Sequence, residues 1–348
     1  MTVPEANFME SPKKLRIALD TMGGDYAPVH EVAGAIEALR ASQEQFEIVL
    51  VGDEQAIREQ IAVHHAEHLQ FKIIHASQVI TMADSPTAAL KQKKDSSLAV
   101  AMRLHKEGNA DACVSAGNTG AVLSAATLML GRIKNVSRPT IGTFIPAEHG
   151  SCLVLDAGAN VDCRAQHLYE FAVMGSIYVQ LLRKKERPSI GLLNVGEEKS
   201  KGSEAAQEAY KLLSASNYNF IGNVEGGDIL KSKADVVVCD GFIGNVILKF
   251  GESVPSFLKS RLKKFSTRGI LNKLAVGMTM WPLKASLRDM DPNEEGGVPI
   301  LGVNGVAIIG HGGSTPKGIK NMILRAGEVA QGQVNRKIEA ALAEKGLS

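Results

Sequence analysis

Ile17-Ala18-Leu19-Asp20-Thr21-Met22-Gly23-Gly24-Asp25 runs from an apolar stretch into an acid and a pair of glycines. Directly after it Val29, Val32, Ala33, Ile36 and Leu39 recur at three and four residues, the period of a helix laying one face on a sheet. Strand, glycine turn and helix in that order form the repeating unit of a parallel sheet covered by helices. The device returns along the chain. Leu153-Val154-Leu155-Asp156 leads to Gly158 and Asn160, Leu193-Asn194 to Gly196, and Val238-Cys239-Asp240 to Gly241, Gly244 and Asn245. Cys113-Val114-Ser115-Ala116-Gly117-Asn118-Thr119-Gly120 is a further variant. In an open α/β sheet such segments stand at carboxyl strand ends, where ligands bind and helix starts direct N–H groups outward. The expected site is therefore the sheet's carboxyl edge.

Ten strands are expected, at 15–19, 46–51, 71–74, 112–114, 140–145, 152–155, 190–193, 219–221, 236–239 and 306–309. Further helices are expected after Asn118, Ala165, Ser203, Phe242 and Pro316. The fold class is α/β, a mostly parallel sheet between helical layers. With 348 residues the chain has room for one large unit or two lobes. Hydrophobic residues at 45% against 22% charged residues suit a chain that buries a sizeable core. Residues 1–14, with Pro4, Pro12 and mixed charges, read as a flexible leader.

Charge excludes some functions. The 39 basic and 37 acidic side chains leave a formal charge of +2, unlike a cationic nucleic-acid coat or an acidic tail, so no nucleic-acid partner is expected. The four cysteines, at 113, 152, 163 and 239, have no C-x-x-C spacing and read as reduced core thiols. No uncharged apolar run is long enough to span a bilayer and the start lacks a signal-peptide pattern, so a cytoplasmic protein is expected. One segment breaks the balance: residues 253–288 contain no acid but eight cations, Lys259, Arg261, Lys263, Lys264, Arg268, Lys273, Lys284 and Arg288. Phe257, Leu258, Phe265, Leu271, Met278 and the only tryptophan, Trp281, lie among them, which suits a basic amphipathic surface.

Several chemistries are missing their motifs. No G-x-G-x-x-G follows a strand, and Gly310-His311-Gly312 comes nearest. Gly313 to Gly318 is followed by Ile319 where a Walker A lysine belongs. There is no G-x-S-x-G elbow and no H-E-x-x-H, and His64, His65 and His68 read as a solvated helix face. No metal and no cofactor are expected. Glycine-rich loops bearing Asn, Ser, Thr and Lys suit an anion, with Lys201 in the loop 194–202 able to supply a positive charge. Asn118, Asn160 and Asn245 are neutral amides that could steer a carbonyl or phosphate without acting as competing bases.

At these loops the chain closely resembles the bacterial phosphate acyltransferases, the acyl carrier protein:phosphate acyltransferases that begin phospholipid synthesis. The resemblance runs from about residue 15 to about 332. It is carried by Asp20-Thr21-Met22-Gly23-Gly24-Asp25, Ser115-Ala116-Gly117-Asn118-Thr119-Gly120-Ala121, Asp156-Ala157-Gly158-Ala159-Asn160, Asn194-Val195-Gly196-Glu197-Glu198, Lys201-Gly202, Asp240-Gly241-Phe242-Ile243-Gly244-Asn245 and Gly310-His311-Gly312-Gly313-Ser314. Lys199 and Ser203 depart from the pattern. The resemblance implies one catalytic unit over 15–345, with two lobes around a cleft and a fold similar to the isocitrate and isopropylmalate dehydrogenases and to phosphotransacetylase. It also implies a homodimer and transfer of a long-chain acyl group from acyl carrier protein to inorganic phosphate.

Phosphate is already partly dianionic near neutral pH and needs positioning more than deprotonation, and a thiol is a fair leaving group. Lys201 is expected to hold phosphate and Asn245 to donate to the oxyanion of the tetrahedral intermediate. Gly23, Gly24, Ser115, Gly117, Asn118, Thr119, Asn160, Asn194 and Gly196 are expected to line the substrate and phosphate. Asp20, Asp25, Asp156, Glu198 and Asp240 are expected to act behind them, since a carboxylate beside phosphate repels it unless it orients donors. The acid-free segment is expected to meet acidic acyl carrier protein, the inner face of the membrane, or the membrane glycerol-3-phosphate acyltransferase. The rivals are a phosphotransacetylase-like enzyme for short acyl-coenzyme A, a metal-dependent hydroxy-acid dehydrogenase and a non-catalytic membrane scaffold.

Overall fold

The computed structural model describes residues 14–43, 45–286 and 291–343. The leader 1–13 lies outside them, as do Arg288 and the side chains of Trp281 and Lys284. The strands are β1 (Leu15–Asp20), β2 (Phe46–Gly52), β3 (Lys72–His75), β4 (Ala112–Ser115), β5 (Thr140–Ala147) and β6 (Gly150–Leu155). They continue with β7 (Ser189–Leu193), β8 (Asn219–Val224), β9 (Val236–Val238), β10 (Val298–Leu301) and β11 (Ala307–Ile309). The helices are α1 (Val29–Ala41), α2 (Glu54–Val63), α3 (Pro86–Gln92), α4 (Ser97–Lys106), α5 (Thr119–Ala125), α6 (Ala165–Arg183) and α7 (Glu204–Ser214). After them come α8 (Gly226–Leu230), α9 (Gly241–Ser266), α10 (Ile270–Ser286), α11 (Pro292–Glu295), α12 (Pro316–Gln331) and α13 (Val334–Ala343).

All the strands join one 11-stranded sheet in the order β3-β2-β1-β4-β11-β10-β5-β6-β9-β7-β8. Ten of them lie where the sequence places them; β10 was not expected. Val298-Pro299-Ile300-Leu301 is short, contains a proline and follows Gly296 and Gly297, both at positive φ, so it lacks the signature of a central strand. β10 runs antiparallel to both β11 and β5, and β5 antiparallel to β6. These three reversals make β6, β9, β7 and β8 run opposite to β1, β2, β3, β4 and β11. The single carboxyl edge expected from sequence is therefore corrected to two, one for each half of the sheet.

Period-two alternation divides the side chains between two faces. Ile17, Leu19, Ile48, Leu50, Val114, Ile308, Leu153, Leu155, Val236 and Val238 face one continuous core across the whole sheet, covered by α1, α2, α6, α7, α12 and α13. The opposite face is split. Ala18, Val49, Cys113 and Ile309 pack under α3, α4 and α5, whereas Cys152, Val154, Val237 and Cys239 pack with Ile229 of α8 and Ile247 of α9. Helices on both faces make three layers, and the two separate clusters give the molecule its two halves.

Tyr178 of α6 lies in the continuous core with its hydroxyl buried and without a hydrogen-bond partner among the described residues. A buried hydroxyl left unpaired costs about 1–3 kcal/mol. Tyr178→Phe is expected to keep stability or raise it by about 1 kcal/mol in urea unfolding; a clear loss would reveal a partner for the hydroxyl.

Candidate active site

At the first carboxyl edge Asp20 and Ser115 end neighbouring strands, since Leu19 pairs with Val114. Asp20 is only 1% exposed. Ser115 Oγ donates to Asp20 Oδ2 at 2.7 Å, the Met22 N–H donates to Asp20 Oδ1 at 3.2 Å, and Ser115 Oγ accepts from the Gly117 N–H at 3.1 Å. Burial pushes the Asp20 carboxyl up, against hydrogen bonds from Ser97, Ser115 and the Met22 N–H. Gly23 lies against Asp20, Gly117 and Ser115, with no room for a Cβ. Gly24 is closed in by Glu31, and the Asp25 N–H donates to the Gly312 carbonyl at 2.8 Å. Asn118 caps α5 by accepting from the Ala121 N–H at 3.1 Å. Its amide nitrogen faces the carbonyls of Thr81, Met82 and Asp84 at 3.2–3.3 Å, so this side chain fastens the loop 81–84 to the start of α5. Thr119 is exposed on the first turn of that helix.

Glu31 of α1 was not anticipated. It is 1% exposed and its Oε2 is buried without a hydrogen-bond partner among the described residues. Burial pushes its carboxyl up to about 7, with the nearby Asp20 and Asp25 charges pushing the same way and a Gly24 N–H hydrogen bond opposing. An acid in the first turn of an amphipathic helix ordinarily reads as a solvated, dipole-favoured residue, so only the packing reveals it.

At the second edge the registers of β6, β9 and β7 bring Asp156, Asp240 and Asn194 to adjacent strand ends. Asp156 is fully buried. Its Oδ1 accepts from the Gly158 and Ala159 N–H groups at 3.0 and 2.9 Å, and its Oδ2 from Asn160 Nδ2 at 2.6 Å. Asn160 Nδ2 also donates to the Pro139 carbonyl at 2.8 Å, so both its amide hydrogens are engaged. Burial pushes the Asp156 carboxyl up and these donors pull it back. Asp240 caps α9 by accepting from the Ile243 N–H at 2.8 Å. One turn on, a Cβ on Gly244 would lie 1.8 Å from the Asp156 carbonyl oxygen, so α9 starts in direct backbone contact with the loop after β6. The next residue, Asn245, is exposed beside Gly158.

Lys201 sits in the β7–α7 loop. Its N–H donates to the Glu198 carbonyl at 3.1 Å, and its own carbonyl accepts from Asn194 Nδ2 at 3.0 Å. Its side chain is exposed, next to the buried Gly196. The expected residues thus form a first-edge group around Asp20 and a second-edge group around Asp156, with the Lys201 loop on the strand beside the latter. Ala159, in the loop after β6, packs against the apolar cluster that holds Ala121, Val122 and Ala125 of α5. Among the described residues no group of three His, Cys, Asp or Glu side chains is arranged to hold a metal.

The Glu31 carboxyl changes its proton affinity on folding, from 4.5 to about 7. Between those values the folded chain holds a proton that the unfolded chain has released, so this contribution to stability is lost as pH rises through that window. Glu31→Gln is expected to gain on the native protein by up to about 3 kcal/mol more at pH 8 than at pH 5 in urea unfolding. Equal differences at the two pH values would mean that Glu31 ionises as in water.

A family model described as "Fatty acid synthesis protein" matches residues 15–337. The chain is 45% identical over 337 residues to the phosphate acyltransferase of Chlorobaculum parvum, a match covering 94% of this chain and 99% of that relative. It is 44% identical over 322 residues to the phosphate acyltransferase of Acetivibrio thermocellus, covering 92% and 95%. In fold it is similar to a phosphotransacetylase from Streptococcus pyogenes, with a TM-score of 0.62 at 17% identity over 92% of this chain and 95% of that one. A branched-chain phosphotransacylase from Enterococcus faecalis gives a TM-score of 0.57 at 15% identity over 92% and 99%. The structural likenesses speak for the fold; the sequence matches, running along nearly the whole chain, place it in the phosphate acyltransferase family, as an acyltransferase of fatty acid synthesis.

Proposed function

We propose that the protein transfers a long-chain acyl group from the thioester of acyl carrier protein to inorganic phosphate, giving acyl phosphate and the free carrier thiol for glycerophospholipid synthesis. The observation that carries this reading is the burial of the serine and the thiols in and around the strand-end loops. Ser115 is fully buried, its hydroxyl donating to Asp20 and accepting from the Gly117 N–H. Burial pushes the thiols of Cys152 and Cys163 up to about 12, and those of Cys113 and Cys239 up as well. A site without an activated serine or cysteine suits direct attack, in which a phosphate oxygen bonds to the thioester carbon and the C–S bond then breaks to release the thiol. Family membership supports phosphate as acceptor; the carrier-bound long-chain donor is the finer part of the proposal. The likeness to phosphotransacetylases favours a short acyl-coenzyme A donor as the second reading.

In this reading Lys201 holds phosphate and Asn245 donates to the oxyanion. Gly23, Gly24, Gly117, Asn194 and Gly196 shape the loops, and Asp20, Asp25, Asp156, Glu198 and Asp240 order them from behind. The helices α9 and α10 pack on each other and expose Phe257, Leu271, Leu274 and Met278 among the cations of the acid-free segment. That surface supports contact with acidic acyl carrier protein or with an anionic membrane face. Among the described residues no helix is long and apolar enough to cross a membrane.

The test is phosphate-dependent release of carrier thiol from palmitoyl acyl carrier protein, with acyl phosphate trapped by hydroxylamine. No release with active carrier, alongside turnover of acetyl-coenzyme A, would favour the second reading. In the same assay Asn245→Ala is expected to lower kcat by roughly 100- to 1000-fold, and near-normal turnover would remove it from the oxyanion role. Lys201→Ala is expected to raise the phosphate concentration needed for half-maximal rate; an unchanged phosphate dependence would end its assignment.

A further inference from the structure

Two side chains that sequence reading passed over hold the Lys201 loop: Gln207 of α7, whose Nε2 donates to the Ser200 and Gly202 carbonyls at 2.9 and 3.2 Å, and a buried asparagine of β8. Asn223 of β8 is 4% exposed, and its Nδ2 donates to the Glu198 carbonyl at 2.9 Å. That carbonyl is the same one that accepts the Lys201 N–H. The following residue, Val224, offers its carbonyl to the Asn194 N–H at 2.8 Å, and Asn194 in turn binds the Lys201 carbonyl. β8 therefore grips the loop at both ends, and both grips lead to the backbone of Lys201. Asn223 Oδ1 is buried and has no hydrogen-bond partner among the described residues, so this amide is kept out of water at a cost for a single donor contact.

The strand is built to aim Asn223 there. Phe220 pairs with Ile190 but Gly222 pairs with Gly191, so Ile221 is an extra residue and Gly222 bends at φ +101°. Beyond this bulge Asn223 pairs with Leu192, which faces the continuous core, and Val224 with Leu193, which packs on the opposite face. Had the register before the bulge continued, Asn223 would pair with Leu193 and point to that opposite face, because one residue of slip exchanges the faces of a strand.

We infer that Asn223, turned by the bulge at Ile221, is a positioning residue that fixes the Glu198–Lys201 turn and so sets the Lys201 ammonium for phosphate. The inference rests on the phosphate role proposed for Lys201. Asn223→Ser shortens the side chain out of reach of the Glu198 carbonyl, and Asn223→Asp keeps its shape but loses the donor. Each is expected to raise the phosphate KM by about ten- to a hundredfold, with kcat and the acyl-donor KM within about twofold of native. In the Lys201→Ala background the same substitutions are expected to add nothing further, since the group they position is gone.

Lys201→Ala with a native phosphate KM would sink the phosphate reading itself. A raised phosphate KM in Lys201→Ala beside a native value in a folded Asn223 variant would sink only the positioning role. It would also be overturned if kcat and both KM values moved together, or if both variants failed to fold, either of which would assign Asn223 to general stability.

Discussion

A carboxylate taken out of water must be met by donors, and the loops of this protein are organised by two that are. Asp20 and Asp156 stand at the carboxyl ends of β1 and β6, fully buried, and each gathers N–H and side-chain donors from the residues that follow it or from the neighbouring strand. Burial raises the free energy of the charged form, so every donor that turns inward is held there by a demand that only it can meet. The loops are therefore ordered before any ligand arrives. At Asp156 the ordering passes to α9, because the absence of a side chain at Gly244 lets the helix rest on the Asp156 carbonyl. Asn245 is thereby placed one residue beyond a rigid backbone contact.

The two faces of the sheet divide the work. One carries an uninterrupted core from β2 to β7, roofed by α1, α2, α6, α7, α12 and α13, which joins the halves into one body. The other is broken into two clusters, one under α3, α4 and α5 and one under α8 and α9. Helices rise from the carboxyl-end loops onto both faces, and α5 after Asn118 and α9 after Asp240 are among those on the broken one. Backbone N–H groups at their starts and in the glycine turns supply donors without mobile side chains, a preorganised setting for an anionic substrate and a developing oxyanion.

Most of the fold is legible in the residues themselves. Apolar runs at 15–19, 46–51 and 152–155 alternate with helical periods, and the glycine loops mark the strand ends, because a tight turn from strand to helix demands those residues locally. β10 was hidden because Pro299 and the preceding glycines erase the strand pattern over four residues; its place is set by pairing with β11 and β5. The same pairings reverse the second half of the sheet, which no local pattern encodes. Glu31 and Asn223 escaped notice for a related reason, since both are polar residues of unremarkable spacing whose importance lies in being buried.

The sequence alone determined the α/β class, the glycine loops at the strand ends, the lack of an activated nucleophile motif and the family. These rest on local periodicity, on the conformational needs of glycine turns and on ordered motifs that lie along one chain. Tertiary structure alone decided that the site loops divide between two sheet edges, that Asn118 and Asn160 commit their amide hydrogens to carbonyls and a carboxylate of the fold, and that a bulge in an edge strand turns Asn223 toward the turn beneath Lys201. Those outcomes depend on strand direction, register and burial, which arise from contacts between residues distant in the chain and are not written in any single segment.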